Sequence, residues 1–172
     1  MQIRAADEAD YPGIDSLLKS AFPGPEEARL VVCLRAADQD TLELVAEDHG
    51  RIVGTIFFSP VQALSPAGTE FYGIGLAPMA VTAEHQKRGI GSALIEHGLT
   101  FLTTLGVPWC VVLGDPAYYS RSGFQPASVI NWRWDGDPEG DHAEAFMIKP
   151  LGNHALPDQA ALVSYHPAFE TV

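Results

Sequence analysis

The chain reads Gln86-Lys87-Arg88-Gly89-Ile90-Gly91 between an apolar extended segment and an amphipathic helix. A turn at the start of a helix presents backbone N–H groups that no acceptor inside the helix can satisfy. Those donors and the positive end of the helix dipole together favour a phosphate group. Gly89 and Gly91 have no Cβ, so the backbone can bend sharply and approach a ligand closely. The pattern predicts a pyrophosphate-binding turn, and residues 86–91 are called the cradle below.

The charge of the cradle runs against the charge of the whole chain. Lys87 and Arg88 form an adjacent basic pair in a protein with 10 Lys and Arg against 22 Asp and Glu, a formal net charge of −12. Such an acidic protein is not expected to bind nucleic acid. A diffuse acidic surface indicates solubility, and the same field would attract an amine substrate.

Length and composition predict one domain. The 172 residues are 47% hydrophobic, which suffices for a single core over residues 1–172. Cys33 and Cys110 each lie in an apolar run and form no disulfide or metal motif, so we expect two buried, inert thiols. The first residues lack the apolar core of a signal peptide, and no apolar run reaches the roughly 18 residues of a membrane span. We therefore expect a cytoplasmic protein with no membrane partner.

Hydrophobic periodicity places the main elements. It predicts helices over about residues 9–20 and from near Glu26, strands over 42–47 and 51–58, an extended run over 71–81 and a buried strand over 109–113. Asp7 is a plausible cap for the first helix, and Pro78 predicts an edge, a bulge or a break. The helix after the cradle has a wide apolar face that includes Phe101 and Leu105. A strand, helix, strand order predicts a right-handed parallel crossover.

Two later segments, residues 129–134 and 144–149, are typical of a final hairpin around a polar loop. The tail around residues 166–169 is expected to add one edge element. With an antiparallel first half and a central βαβ unit, the chain belongs to the α+β class. Its sheet is predicted to be mixed and mostly antiparallel, with one parallel crossover.

The cradle and its flanks resemble the GNAT superfamily of acyl-CoA-dependent N-acetyltransferases, whose signature is Gln/Arg-x-x-Gly-x-Gly/Ala. Residues 76–85, 114–124 and 165–169 are similar to its YhbS-like branch. The resemblance covers most of the chain and is densest over residues 71–124. It implies the GNAT fold, with six or seven strands and helices on both faces. It also implies an N-acetyltransferase that moves an acetyl group from acetyl-CoA to a primary amine by direct attack in a ternary complex.

The resemblance also implies a set of cofactor-binding residues. Backbone N–H groups of the cradle would bind the CoA pyrophosphate, and the strand before it would pair with the pantetheine arm. An N–H near Ala80 would polarise the thioester carbonyl, which stabilises a tetrahedral intermediate. The implied residues are Met79, Ala80, Val81, Gln86, Lys87, Arg88, Gly89, Ile90, Gly91 and Ser92.

Acetyl transfer to an amine calls for an acid at the departing thiolate and a base at the amine. The family implies Tyr119 as the acid, with a packed core aromatic as the alternative, while Tyr118 is expected to pack. Glu27 resembles a position where this branch carries a Glu facing the acceptor, although a solvated helix-terminal Glu is equally consistent. Glu84 and His85 are expected to shape the turn, and a water relay without a single base stays open. Asp115 is expected to cap a short helix rather than contact the cofactor.

Other functions fit the pattern less well. A non-catalytic CoA-sensing or partner-binding module could use the same fold. A nicotinamide-dinucleotide-binding protein is a less favoured alternative, because the third glycine of that fingerprint is replaced by Leu94. No metal is expected, because the histidines lack ligand spacing and the acidic loop at residues 135–140 ends its calcium-like pattern on Phe146. The identity of the amine and the choice between a monomer and a homodimer stay open.

Overall fold

The computed structural model describes residues 1–172, and they divide into two units. Unit 1 contains residues 1–59, 77–98 and 167–172, and unit 2 contains residues 60–76 and 99–166. Three long elements contribute residues to both units: β3 (Arg51–Leu64), β4 (Glu70–Val81) and α3 (Ile90–Thr104).

Unit 1 begins with β1 (Gln2–Ala5) and two helices, α1 (Tyr11–Ala21) and α2 (Glu26–Ala36). β2 (Leu42–Asp48) pairs antiparallel with β1 and with β3, and β4 follows β3 in the strand order. Asp7 does cap, although it caps a short 3-10 turn over Glu8–Asp10 that leads into α1. The helices and strands of this unit thus lie close to the predicted positions.

Helices cover both faces of the sheet in unit 1. Val45 and Phe57 pack with buried residues of α1 and α2, including Ile14 and Leu34. The opposite face meets α3, since a Cβ added to Gly54 would lie 3.1 Å from side-chain atoms of Ile90 and Leu94. Alternate residues of a strand point to opposite faces, so β3 supplies both cores of this unit.

Unit 2 adds β5 (Trp109–Leu113), α4 (Pro116–Tyr119), β6 (Gln125–Pro126), β7 (Trp132–Trp134), β8 (Phe146–Pro150) and β9 (Ala161–Ser164). β4 pairs parallel with β5 through Ile74–Cys110 and Gly75–Val111, which confirms the predicted crossover. β5 pairs antiparallel with β8, and β8 with β6. β9 pairs antiparallel with the end of β3 and parallel with β7.

The predicted final hairpin is wrong. β7 pairs with β9, whereas β8 lies between β5 and β6. The Trp132 indole explains the choice, because it is 1% exposed, packs edge-on against Trp109 at 5.0 Å and donates its N–H to the Gln159 carbonyl. Burying that ring outweighs the local tendency of the two segments to pair. The sheet has nine strands rather than six or seven, since β6 and β9, with two and four residues, are too short to give a clear pattern.

Several smaller predictions also need correction. Cys33 is exposed, because the buried stripe of α2 passes through Leu30, Val31 and Leu34 instead, while Cys110 is buried as predicted. Phe101 of α3 is 46% exposed, and Leu105, which follows the end of the helix, is 55% exposed, so the apolar face of this helix is narrower than expected.

The remaining two corrections concern a strand and the tail. Of the edge, bulge or break predicted at Pro78, only the break is excluded: β4 continues through this residue, and the pairing of β4 with β5 lies before it, at Ile74 and Gly75. The tail forms a 3-10 helix over Pro167–Thr171 rather than an edge strand, and its Ala168 and Phe169 pack against the core of unit 1. No helix of the structure is long and apolar enough to cross a membrane.

Candidate functional site

The corner between β4 and the cradle is closed by a side chain. After Val81 the chain makes a 3-10 turn over Ala83–His85, and the Gln86 side-chain amide donates a 3.1 Å hydrogen bond back to the Val81 carbonyl. Gln86 therefore ties the end of the strand to the start of the cradle. Its backbone N–H donates to the Ala83 carbonyl at 3.4 Å, so the backbone donation to the pyrophosphate expected of Gln86 is not free in this geometry.

The turn itself uses left-handed backbone. Lys87 has φ 61° and Gly89 has φ 81°, and a Cβ added to Gly89 would meet no atom within 4 Å. The space beside Gly89 is therefore open to a ligand. The Ala93 N–H donates 2.9 Å to the Gly89 carbonyl as α3 begins. The N–H groups of residues 90–92 consequently have no acceptor inside the helix.

Charge at the cradle is unneutralised by the protein. Lys87 and Arg88 are both exposed, and neither takes part in an ion pair. Two free cations thus stand beside the positive end of α3 in a protein with net charge −12. Exposed helix N–H donors together with unpaired cations are the arrangement that binds phosphate groups.

The other cofactor and base candidates of unit 1 lie on β4 and α2. Ala80 is 6% exposed and belongs to the core shared with α1 and α2, while Met79 and Val81 are half-buried. Ser92 is exposed in the first turn of α3. Glu27 lies half-buried in the first turn of α2 and makes no ion pair, so its carboxylate is available to a substrate.

Tyr119 belongs to unit 2 and is tightly enclosed there. Its ring stands edge-on to Tyr118 at 5.1 Å and to Phe124 at 5.9 Å, and it is 9% exposed. Burial raises the pKa of its phenol above the ordinary value. The hydroxyl therefore keeps its proton at neutral pH and can act as a donor. Asp115 caps α4, accepting the Ala117 N–H at 2.9 Å, as predicted from the sequence.

Sequence reasoning missed Gly114, which makes room for Tyr119. A Cβ added to Gly114 would lie 2.4 Å from Cε2 of the Tyr119 ring. No contact this close is tolerated, so a side chain here would displace the ring. The sequence signal was a glycine that directly follows a buried strand and shortly precedes two tyrosines. That signal does not tell which of the two rings needs the space.

The comparisons with known proteins bear on this arrangement. A family model described as "Acetyltransferase (GNAT) domain" matches residues 2–127. The chain belongs to the GNAT family of acetyltransferases. The predicted family and fold are thereby confirmed, and so is the predicted enzyme class, an acyltransferase.

Full-length relatives support the same membership. An uncharacterized N-acetyltransferase YhbS of Escherichia coli K12 is 38% identical over 172 residues, 98% of each chain. The crystal structure of the E. coli GNAT protein YhbS in complex with CoA has a TM-score of 0.89 and covers 98% of this chain and 91% of that one. A GNAT acetyltransferase of Brucella melitensis in complex with acetyl-CoA is 34% identical, with a TM-score of 0.76 and coverage of 98% and 97%.

The GNAT structure also bears on metal binding. No group of three or more His, Cys, Asp or Glu side chains lies together in a way that could hold a metal ion.

Proposed function

We propose that this GNAT protein transfers an acetyl group from acetyl-CoA to a primary amine, on a small molecule or a protein, by direct attack of the amine on the thioester. The observation that carries the proposal is the cradle. It combines open space at Gly89, free N–H donors at the start of α3 and two unpaired cations. The CoA and acetyl-CoA complexes of the two similar proteins support the same cofactor.

In this proposal the cradle binds the pyrophosphate through the backbone. The N–H groups of residues 87–91 donate to phosphate oxygens, the Gln86 side chain holds the corner before them, and the Ser92 hydroxyl adds a further donor. Lys87 and Arg88 supply attraction rather than a fixed geometry, because both are exposed. Hydrogen bonds to a charged acceptor contribute about 1.5–3 kcal/mol each, so loss of the backbone geometry costs more than loss of one surface cation.

Residues Met79, Ala80 and Val81 would pair with the pantetheine arm through their backbone. An N–H near Ala80 would then donate to the thioester oxygen as it gains negative charge. Ala80 is held in the core of unit 1, which fixes the direction of that donor before the substrate arrives. Such preorganised donors stabilise the tetrahedral intermediate.

Tyr119 would act on the departing thiolate. Burial keeps its phenol protonated, which makes a donor available across the neutral range. The same raised pKa makes complete transfer of the proton less favourable. We therefore assign Tyr119 a hydrogen bond to the developing thiolate as its main contribution.

The amine must lose a proton before or during attack, and Glu27 is the proposed acceptor. Its carboxylate is half-buried and free of ion pairs. A Glu27→Gln variant is expected to lower kcat at neutral pH and to recover toward the wild-type rate as pH rises and more amine is neutral. An unchanged kcat in this variant at neutral pH would favour the water relay over Glu27.

The first test is thermal unfolding with acetyl-CoA, CoA, NADH and ATP side by side. A ligand at about 100 times its dissociation constant adds roughly 2.7 kcal/mol of stability, a clear rise in Tm. We expect acetyl-CoA and CoA alone to raise the Tm. If NADH or ATP raised the Tm instead, or if none of the four ligands raised it, the cofactor assignment would be overturned.

Turnover then separates an enzyme from a CoA-sensing module. Free thiol released from acetyl-CoA is measured against a panel of polyamines, amino acids and peptides with free amines. An enzyme releases thiol only with its acceptor, whereas a sensor binds acetyl-CoA and releases none. The cytoplasmic location, the single domain over residues 1–172 and the choice between monomer and homodimer stay predictions from the sequence.

A further inference from the structure

His85 holds the segment that enters the cradle. Its ring nitrogen Nδ1 lies 2.8 Å from the Thr82 hydroxyl, and its Nε2 lies 3.8 Å from a carboxylate oxygen of Asp48. Thr82 is itself fixed, because its N–H donates 2.9 Å to the Val53 carbonyl of β3. His85 directly precedes Gln86, so its imidazole connects the start of the cradle with the end of β2 and with the residue after β4.

The ring is partly enclosed, with the His85 and Asp48 side chains 22% and 28% exposed. Asp48 also lies 3.4 Å from the amino group of Met1, so one carboxylate faces two nitrogen groups. Other charged or titratable groups lie close by in the sequence: Glu84 precedes His85, His49 and Arg51 follow Asp48, and Lys87 and Arg88 belong to the cradle.

We propose that His85 is a positioning residue that makes the cradle bind the cofactor pyrophosphate more tightly as pH falls. A protonated imidazole donates from both nitrogens, so it forms an ion pair with Asp48 while Thr82 accepts the other hydrogen bond. The neutral ring loses the ion pair and holds the segment through Thr82 alone. The extra positive charge also stands on the chain beside Lys87 and Arg88. Both effects favour an anionic ligand at lower pH.

This inference rests on the proposed binding of CoA by the cradle and adds a regulation to it. The expected size is set by the exposure of the pair. Partly exposed ion pairs are weak, so we expect the His85–Asp48 pair to change the dissociation constant about threefold.

The test is the dissociation constant of dephospho-CoA by calorimetry at about pH 6 and 8. Dephospho-CoA is the probe because it retains the pyrophosphate but lacks the terminal phosphate monoester, which would itself titrate. The variants are His85→Asn, which keeps a polar group near Thr82 and removes the charge, and Asp48→Asn. His97→Asn is the matched control, since His97 is exposed on α3 and bonds only to the Ala93 carbonyl in its own helix.

Wild type and His97→Asn are expected to bind about threefold more tightly at the lower pH. His85→Asn should lose this dependence, and Asp48→Asn should reduce it while Tm reports that each variant is folded. A pH-independent wild type, or an unchanged dependence in His85→Asn or Asp48→Asn, overturns the inference and leaves the proposed function standing. Absence of binding by both dephospho-CoA and CoA at every pH overturns the two together.

Discussion

In the cradle the backbone makes the proposed contacts while the side chains of Lys87 and Arg88 stand in solvent, whereas Tyr119 depends on a side chain enclosed by other side chains. The cradle therefore tolerates changes of side chain but not of backbone geometry. The surroundings of Tyr119 tolerate neither a lost hydroxyl nor an added methyl group. A binding site for a fixed anion and a site for proton chemistry thus place different demands on sequence.

Removing the Tyr119 hydroxyl is expected to have the largest effect. Tyr119→Phe should lower kcat about 100-fold, the lower end for removing one hydrogen-bond donor to a developing anion, and leave the dissociation constant of acetyl-CoA unchanged. Steady-state kinetics and calorimetry measure the two quantities. Tyr118→Phe is the control and should keep near wild-type kcat. Equal losses in both variants would show that the aromatic packing, and not the hydroxyl, matters.

Changing the cradle backbone is expected to come next. Gly89→Ala strains a residue with φ 81° and places a methyl group in the open space, so CoA should bind about 30-fold more weakly. Gly68→Ala is a matched control, since Gly68 has φ 86° and also has no neighbour within 4 Å of an added Cβ. Both substitutions should lower Tm by similar amounts, but only Gly89→Ala should weaken the binding of CoA. Equal CoA affinities in the two variants would show that the cradle is not part of the binding site.

Adding a methyl group at Gly114, against the Tyr119 ring, should have a smaller effect on catalysis. Gly114→Ala forces the Tyr119 ring to move, since the new Cβ would lie 2.4 Å from it. We expect about a tenfold loss of kcat and about 1–3 kcal/mol of stability. In a Tyr119→Phe background the same substitution should lower kcat little further, because the hydroxyl is already gone. Additive losses would mean that Gly114 acts through another group.

Neutralising the exposed cations is expected to weaken binding only severalfold. Lys87→Ala with Arg88→Ala should raise the dissociation constant of CoA about fivefold at low salt and less at high salt, since exposed charges are screened. Lys19→Ala on α1 removes an exposed cation that is already paired with Asp15, and it serves as the control. A salt-independent loss would contradict the solvent-exposed role assigned to this pair.

The smallest expected effect is on the pH dependence of stability at alkaline pH, which should involve Tyr119 but not the cradle. Burial raises the pKa of Tyr119, so above about pH 10 the unfolded phenol loses its proton while the folded one keeps it. The unfolded state then binds fewer protons, and stability falls by about 1.4 kcal/mol per pH unit for this group. Urea unfolding at rising pH should give a shallower decline for Tyr119→Phe, whereas Gly89→Ala should keep the wild-type decline.

The sequence sufficed for the elements whose signals are local. The cradle, the early helices and the parallel crossover were predictable because glycine spacing and hydrophobic period act within a short stretch of chain. Pairing of β7 was not, since burial of the Trp132 ring depends on Trp109 and on Gln159. The same holds at the site, where the clearance between Gly114 and the Tyr119 ring and the contact of His85 with Asp48 exist only after folding.

β9 lies between β3 and β7, pairing Leu162 with both Leu64 and Arg133. During synthesis the ribosome releases β3 long before this partner, so the sheet of unit 2 stays incomplete until residues 161–164 emerge. β1, β2 and β3 can pair much earlier, because their register joins residues already made. The nascent chain thus carries an unfilled strand position until residues 161–164 emerge, and the unpaired edges of β3 and β7 are open to pairing with another chain during that interval.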